Sequence, residues 1–101
     1  MDEVLKGLKA IADENRLKII KLLLTKNYCV SALANQLNIS ESAVSQQLKI
    51  LREAGLVVGE KEGYYVHYKV KTEKFMEIGD YIIELGEINR TNNGCCHKNE
   101  D

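Results

Sequence analysis

Apolar residues in the first quarter of the chain recur at the three- and four-residue intervals of amphipathic helices. This spacing predicts a first helix over residues 2–12 and a second helix over residues 14–25, with Asp13 as the N-cap of the second. The apolar side chains that we expect to face the core from the second helix are Leu17, Ile20, Leu23 and Leu24.

The stretch from residue 31 to residue 52 has the pattern of two short helices joined by a tight turn. Ser31 is the expected N-cap of the first helix. Asn38 follows the last apolar residue of that helix, where a left-handed backbone suits Asn. Ser40 is the expected N-cap of the second helix. The order of helix, Asn turn and capped helix predicts a helix-turn-helix.

The second of these helices is amphipathic. Its apolar stripe comprises Val44, Leu48 and Leu51, and its opposite, polar face comprises Ser42, Ser45, Gln46 and Lys49. A helix that enters the DNA major groove needs a short polar face of this kind. A solvated helix of any small bundle would show the same amphipathicity, so the helix-turn-helix context is what favours DNA recognition.

Beyond Gly55, which we expect to stop the helix in a left-handed conformation, the hydrophobic period changes from that of a helix to that of a strand. The sequence predicts one strand over residues 56–60, a turn over residues 61–63 and a second strand over residues 64–70. Alternation in the second strand places four side chains on one face: Tyr64, Val66, Tyr68 and Val70. A hairpin directly after a recognition helix forms the wing of a winged helix-turn-helix.

The last predicted helix, over residues 72–89, carries more apolar surface than a terminal helix needs to cover its own core. Gly79 and Gly86 in this helix would permit close approach of a second helix. We therefore predict a homodimer through the first and last helices, with a deeply buried core helix as the alternative. The expected fold is mainly α with a β-hairpin: a winged helix-turn-helix domain over residues 1–90 and a flexible tail over residues 91–101.

Composition and charge narrow the classes of protein that fit this fold. The 101 residues carry 45% hydrophobic side chains and a formal net charge of −1, which suits one domain whose positive potential is local. The acidic start and the lack of a long apolar run lead us to expect a cytoplasmic protein that does not enter the membrane. Three cysteines, two of them adjacent, indicate metal or redox chemistry rather than a secreted disulfide framework.

Residues suited to catalysis are few. A catalytic cysteine needs a positioned base, and the two histidines are His67 in the predicted wing and His97 in the predicted tail. No glycine-rich phosphate loop is evident in the sequence. We therefore expect no enzymatic activity.

Two runs of sequence are similar to the ArsR/SmtB family of metal-sensing winged-helix repressors. Residues 12–19 read Ala-Asp-Glu-Asn-Arg-Leu-Lys-Ile, and residues 45–57 read Ser-Gln-Gln-Leu-Lys-Ile-Leu-Arg-Glu-Ala-Gly-Leu-Val, which follows the family pattern almost unbroken. The resemblance extends over residues 2–90. It implies a homodimer that binds double-stranded operator DNA and represses its own operon until an inducer ion or thiol reagent weakens DNA binding.

The family's DNA-reading positions coincide with the polar face of the second helix of the motif. The resemblance places Ser42, Ser45 and Gln46 at base edges, and Lys49 and Arg52 at phosphates or guanine. Lys61 fits the family's basic hairpin tip, whereas Tyr64 stands where many relatives carry Arg. We expect the logarithm of DNA affinity to fall with the logarithm of salt concentration with a slope of about −4 to −7 for the dimer.

Two inducer sites of the family are incomplete in this chain. The arsenite site near the helix-turn-helix resembles Leu-Cys-Val-Cys-Asp-Leu, whereas residues 28–33 here read Tyr-Cys-Val-Ser-Ala-Leu. Cys29 is therefore kept, and Ser31 replaces the second thiol. The site for zinc, nickel or cobalt on the last helix needs histidine, but this helix offers carboxylates alone: Asp80, Glu84 and Glu87.

The remaining soft donors are Cys29, Cys95, Cys96 and His97. Three thiolates would suit As(III), Sb(III) or Bi(III), and thiolates with imidazole would suit Cd²⁺, Pb²⁺ or Zn²⁺. We expect no permanent cofactor, and a metal(loid) inducer held by these residues. One alternative is a redox or persulfide sensor that links Cys29 to Cys95 or Cys96. The other is that Cys29 is a small buried side chain and the tail is inert.

Overall fold

The computed structural model describes residues 2–88, which form five helices and one two-stranded antiparallel sheet. In chain order these elements are α1 (Asp2–Ile11), α2 (Glu14–Leu23), α3 (Val30–Leu37), α4 (Glu41–Glu53), β1 (Val57–Glu62), β2 (Tyr65–Val70) and α5 (Thr72–Glu87). This order confirms the predicted winged helix-turn-helix, although α1, α2 and α5 each end slightly earlier than periodicity predicts. None of the described helices is long and apolar enough to cross a membrane. The predicted tail, residues 91–101, lies outside the described residues.

One apolar core joins the helices to the base of the hairpin. Its largest fully buried side chains are Ile19, Leu33, Val44, Leu48, Leu51 and Leu56. Among residues 2–88, no polar or charged residue is buried in this core. Burying one such side chain contributes about 1.5–3 kcal/mol, so the apolar stripe predicted on α4 is what holds that helix in the domain.

The turn between α3 and α4 is held by the local signals that the sequence predicts. Asn38 is left-handed, with φ of 57°, and the Ser40 Oγ accepts a hydrogen bond from the backbone N–H of Ala43 at 3.0 Å. The predicted N-cap of α3 is wrong, however, because the helix begins at Val30 and Cys29 occupies the cap position. Ser31 therefore lies inside the first turn of α3.

The buried face of α2 confirms the predicted core positions Ile20 and Leu23, whereas the prediction is wrong for Leu17 and Leu24. Leu17 and Leu24 are 44% and 58% exposed, whereas Ile19, Ile20 and Leu23 are buried. The five apolar residues of α2 are not confined to one narrow stripe, so more than one choice of buried face satisfies helical spacing. The packing of α2 against α1, α3 and α4 determines which of its faces is buried. Helical spacing within α2 carries no information about this packing.

The wing is longer at its tip than the sequence predicts. Lys61 and Glu62 belong to β1, where Glu62 pairs with Tyr65, so the connection is a two-residue turn of Gly63 and Tyr64. Gly63 adopts φ of +65°, the left-handed region that such tight hairpin turns require. The predicted turn at residues 61–63 and the placement of Tyr64 in the second strand are therefore wrong. Tyr64 is fully exposed at the tip.

α5 packs on α1 through one side only. A side-chain Cβ built at Gly7 of α1 would lie 2.5 Å from Ile78 Cδ1, so a larger residue at this position would force the Ile78 side chain to move. On another side of α5, Met76 and Ile83 are 69% and 58% exposed, and Cβ atoms built at Gly79 and Gly86 would meet no atom within 4 Å. We call these four residues (Met76, Gly79, Ile83 and Gly86) the open α5 face.

Gly7 offers a test of the α1–α5 packing. Gly7→Leu is expected to lower the free energy of unfolding by about 2–3 kcal/mol, because the added side chain displaces the buried Ile78. Urea denaturation followed by circular dichroism measures the change. Lys9→Leu, which places the same side chain at an exposed position of α1, is the matched control and should leave stability within about 0.5 kcal/mol. Equal stability of the two variants would contradict the close packing.

Candidate nucleic-acid interface

The exposed face of α4 collects the residues that the sequence predicts as DNA readers. Because the opposite stripe is buried, the side chains left on the surface of α4 include all five predicted positions: Ser42, Ser45, Gln46, Lys49 and Arg52. The hydroxyl and amide groups among them can both donate and accept hydrogen bonds, as base edges in the major groove require. The two cations can contact phosphates or guanine. The face therefore has the chemistry for base reading combined with backbone contacts.

The wing adds little net positive charge to this face. Lys69 is paired with Glu60 at 3.2 Å, and the His67 Nδ1 lies 2.9 Å from a carboxylate oxygen of Glu62. Lys61 is exposed and takes part in no ion pair among residues 2–88. Lys61, beside the uncharged Tyr64 at the hairpin tip, could make only a weak contact with phosphate. We therefore expect α4 to supply most of any affinity for DNA.

Cys29 lies where the helix-turn-helix meets the wing. Its thiol is free and half-buried, and it occupies the N-cap of α3. It lines an open cleft of about 340 Å³ whose other walls include Glu41 at the start of α4 and three wing tyrosines: Tyr64, Tyr65 and Tyr68. The neighbouring Tyr28 forms an isolated β-bridge with Tyr68, whose N–H donates to the Tyr28 carbonyl oxygen at 3.4 Å. A group bound to Cys29 would therefore contact the wing as well as α3.

The shared cleft between Cys29 and the wing is a feature that sequence reasoning missed. Periodicity assigns residues 64–70 to a strand but says nothing about which loop that strand adjoins. The sequence offered one weak indication of this arrangement, which is the aromatic residue Tyr28 directly before Cys29. In the structure Tyr28 pairs with Tyr68 of the wing.

Residues 2–88 contain no group of three His, Cys, Asp or Glu side chains arranged to hold a metal ion. Three carboxylates of α5 are exposed: Asp80, Glu84 and Glu87. The sequence predicts that they do not form a zinc, nickel or cobalt site without histidine. Cys29 is the part of the predicted thiol site that the structure describes, and its predicted partners Cys95, Cys96 and His97 lie outside the described residues. Within residues 2–88 of a single chain, Cys29 therefore has no partners that would complete a soft-metal site.

Comparison with known proteins agrees with this geometry. The model of bacterial regulatory proteins of the arsR family matches residues 13–58, which run from the cap of α2 through α3 and α4 into β1. The solved structure of reduced HlyU from Vibrio cholerae is 36% identical, covers 86% of this chain and 92% of its own, and superposes with a TM-score of 0.68. The chain belongs to the ArsR family. Members of this family are transcriptional regulators and not enzymes.

Two further relatives bear on function. The arsenical resistance operon repressor of Escherichia coli is 41% identical over 63 residues, which span 61% of this chain and 54% of the relative. The homodimeric winged helix-turn-helix DNA-binding domain of a Mycobacterium bovis regulator is 26% identical, covers 85% of this chain and 81% of its own, and has a TM-score of 0.71. The chain spans between 54% and 60% of the length of several curated relatives that it matches.

Proposed function

We propose that this ArsR-family protein is a homodimeric transcriptional repressor that binds operator DNA through α4 and releases it when a thiophilic inducer binds cysteine. The observation that carries the proposal is the exposed polar face of α4, with Ser45, Gln46 and Lys49 at its centre. Base-reading groups are concentrated on the one helix that the fold presents to a major groove. Such a repressor would act with its operator in the cytoplasm.

Dimerisation through α1 and α5 is supported by the open α5 face. Met76, Gly79, Ile83 and Gly86 recur at intervals of three and four residues, so they form one apolar stripe on the helix surface. Exposed apolar stripes of this kind mark contact surfaces, and two small residues let helix backbones approach closely. The Mycobacterium bovis relative is a homodimer, which favours the same assembly here.

The inducer that we propose is As(III), Sb(III) or a soft divalent cation such as Cd²⁺ or Pb²⁺. Its ligands would be Cys95 and Cys96, with Cys29 and His97 as further donors. The position of Cys29 supports this choice, because a ligand tied to it would contact the cleft between α3 and the wing. The similarity to a repressor of arsenical resistance points in the same direction.

Thiol oxidation is a second candidate for the release step. It is favoured by the free state of Cys29 and by the lack of further soft ligands near it within residues 2–88, because a disulfide needs only one partner thiol. An S–S bond would form between Cys29 and Cys95 or Cys96, and the two protons and two electrons that the thiols lose would reduce one hydrogen peroxide to two waters. Arsenite titration of the reduced protein without oxygen separates the candidates, since only a metal(loid) sensor would then leave its DNA.

Substitutions on α4 test the proposed DNA contacts. Lys49→Ala should weaken binding to all duplexes alike and reduce the magnitude of the salt slope by about 1 for each subunit, because one phosphate contact is lost. Gln46→Ala should cost about 1–3 kcal/mol on the preferred duplex and relax base preference at one position. Fluorescence anisotropy against a duplex that the wild-type protein selects from a random library measures both effects.

The control for these substitutions is Lys21→Ala, which removes the same charge from the exposed surface of α2. Its affinity and salt slope should match those of the wild type. If Lys49→Ala and Gln46→Ala bind as tightly and as selectively as the control, α4 does not read DNA.

A further inference from the structure

The side chain of Arg16 joins three helices. From the first turn of α2, its guanidinium Nε donates to the Ala10 carbonyl oxygen at 2.6 Å, and its Nη2 donates to the Lys9 carbonyl oxygen at 3.5 Å. Its Nη1 donates to the Gln47 Oε1 at 2.8 Å. Within residues 2–88 the guanidinium has no carboxylate partner, so these hydrogen bonds are its polar contacts.

Two of these contacts fix Arg16 to the end of α1. Lys9 and Ala10 lie in the last turn of α1, where carbonyl groups lack helical partners and the helix dipole favours a cation. The backbone of Arg16 is held as well, because its N–H donates to the Asp13 Oδ2 at 3.1 Å. The rigid guanidinium fork therefore has a defined position relative to α1.

The third contact fixes α4. Gln47 is half-buried and adjoins Gln46 on the exposed face, so it lies at the edge between the buried stripe and the DNA-reading face. A charge-assisted hydrogen bond to this edge resists rotation of α4 about its axis. The turn of α4 that carries Gln46 is thereby linked to the C-terminal end of α1.

We propose that Arg16 is a positioning residue that transmits the orientation of the dimerisation helices to the recognition helix through Gln47. The proposal rests on the proposed function, since it requires that α1 and α5 form the dimer and that α4 reads DNA. α1 is tightly packed on α5 at Gly7 and Ile78, so the connection runs from the dimer seam through α1 and Arg16 to α4. Its role is to set the angle and spacing of the two α4 helices in the dimer.

The test compares two duplexes for each variant. One carries the two half-sites that the wild-type dimer selects from a random library, and the other carries two additional base pairs between them. Gln47→Met keeps the side-chain length but removes the oxygen acceptor, and Gln47→His retains an acceptor. The affinity ratio of matched to spaced duplex should fall by about tenfold in Gln47→Met, since one charge-assisted hydrogen bond is lost. It should stay close to the wild-type ratio in Gln47→His.

A double-mutant cycle with Arg16→Met separates this role from a direct DNA contact of Gln47. If the hydrogen bond carries the effect, Arg16→Met together with Gln47→Met should lower the ratio no further than Arg16→Met alone. Thermal melting accompanies each variant, and if Arg16→Met does not fold, the comparison of Gln47→Met with Gln47→His decides alone.

Two results would overturn the proposal: an unchanged ratio in Gln47→Met, or an equal loss of affinity for both duplexes. A wild-type protein that binds as a monomer or shows no preference for half-site spacing would instead refute the proposed function and the coupling with it.

Discussion

Ile83→Glu is expected to separate the proposed dimer into folded monomers and to lower affinity for operator DNA by about two orders of magnitude or more. Ile83 lies between Gly79 and Gly86 on the open α5 face and is 58% exposed in the single chain. In a symmetric seam each new carboxylate would lose water beside apolar side chains and near its own copy. A monomer can occupy only one half-site, so the contribution of the second α4 is lost.

Sedimentation equilibrium measures the association state, and anisotropy measures DNA affinity. Thr72→Glu adds the same charge at an exposed position of α5, where the helix N-terminus favours a carboxylate, and should leave the dimer intact. Melting of the Ile83→Glu monomer should still be cooperative, because the residue lies outside the buried core. A dimer of unchanged stability in Ile83→Glu would place the interface elsewhere.

The double variant Cys95→Ser/Cys96→Ser is expected to bind operator DNA as the wild type does and to lose its response to arsenite and Cd²⁺. The wild type should lose about 5- to 150-fold in affinity when saturated with its inducer, which is the usual size of coupling between two sites. The serines remove two proposed thiolate ligands, and residues 95 and 96 lie far along the chain from α4. The measurement is anisotropy of the DNA complex during titration of the reduced protein with each ion.

Cys29→Ser is the matched comparison for the double variant. Where Cys29 is a ligand, this single substitution should weaken the response without removing it, because the tail thiols remain. A double variant that still releases DNA on addition of arsenite or Cd²⁺ would refute the proposed ligands. Release of the wild type by peroxide alone, with no response to either ion, would favour the disulfide candidate.

Short-range signals predicted the helix-turn-helix well. Asn38 and Ser40 act within a few residues of themselves, through a left-handed backbone and a cap hydrogen bond. Gly55 likewise adopts φ of 77° at the end of α4. The polar face of α4 could also be predicted, because a helix with one sharply defined apolar stripe has only one way to face a core.

The predictions were wrong where the local sequence was compatible with more than one structure. α2 has more than one apolar stripe, and packing with the other helices decided between them. For α3, Ser31 is the better cap by residue type, but the first helical hydrogen bond runs from the Leu33 N–H to the Cys29 carbonyl oxygen. In the wing, the strand ladder continues through Glu62, which leaves Gly63 and Tyr64 to make the turn.

Contacts between residues far apart in the chain could not be predicted from the sequence. The hydrogen bond of Arg16 to Gln47 and the β-bridge of Tyr28 to Tyr68 each join residues that are 30 or more positions apart in the sequence. No periodicity or cap rule relates such positions, because these rules describe neighbours within one helix or hairpin. The sequence therefore predicted which residues of α4 form the candidate site, but it did not predict the long-range contacts that hold α4 and the wing in place.

The salt dependence of DNA binding by the wild-type protein tests the central claim most directly. The probe is the duplex that the protein selects from a random library, and the measured quantity is the slope of log affinity against log salt concentration. The account predicts a slope of about −4 to −7, because phosphate contacts from α4 and the wing of two subunits release counterions. A slope near zero, or no duplex selected above background, would contradict it.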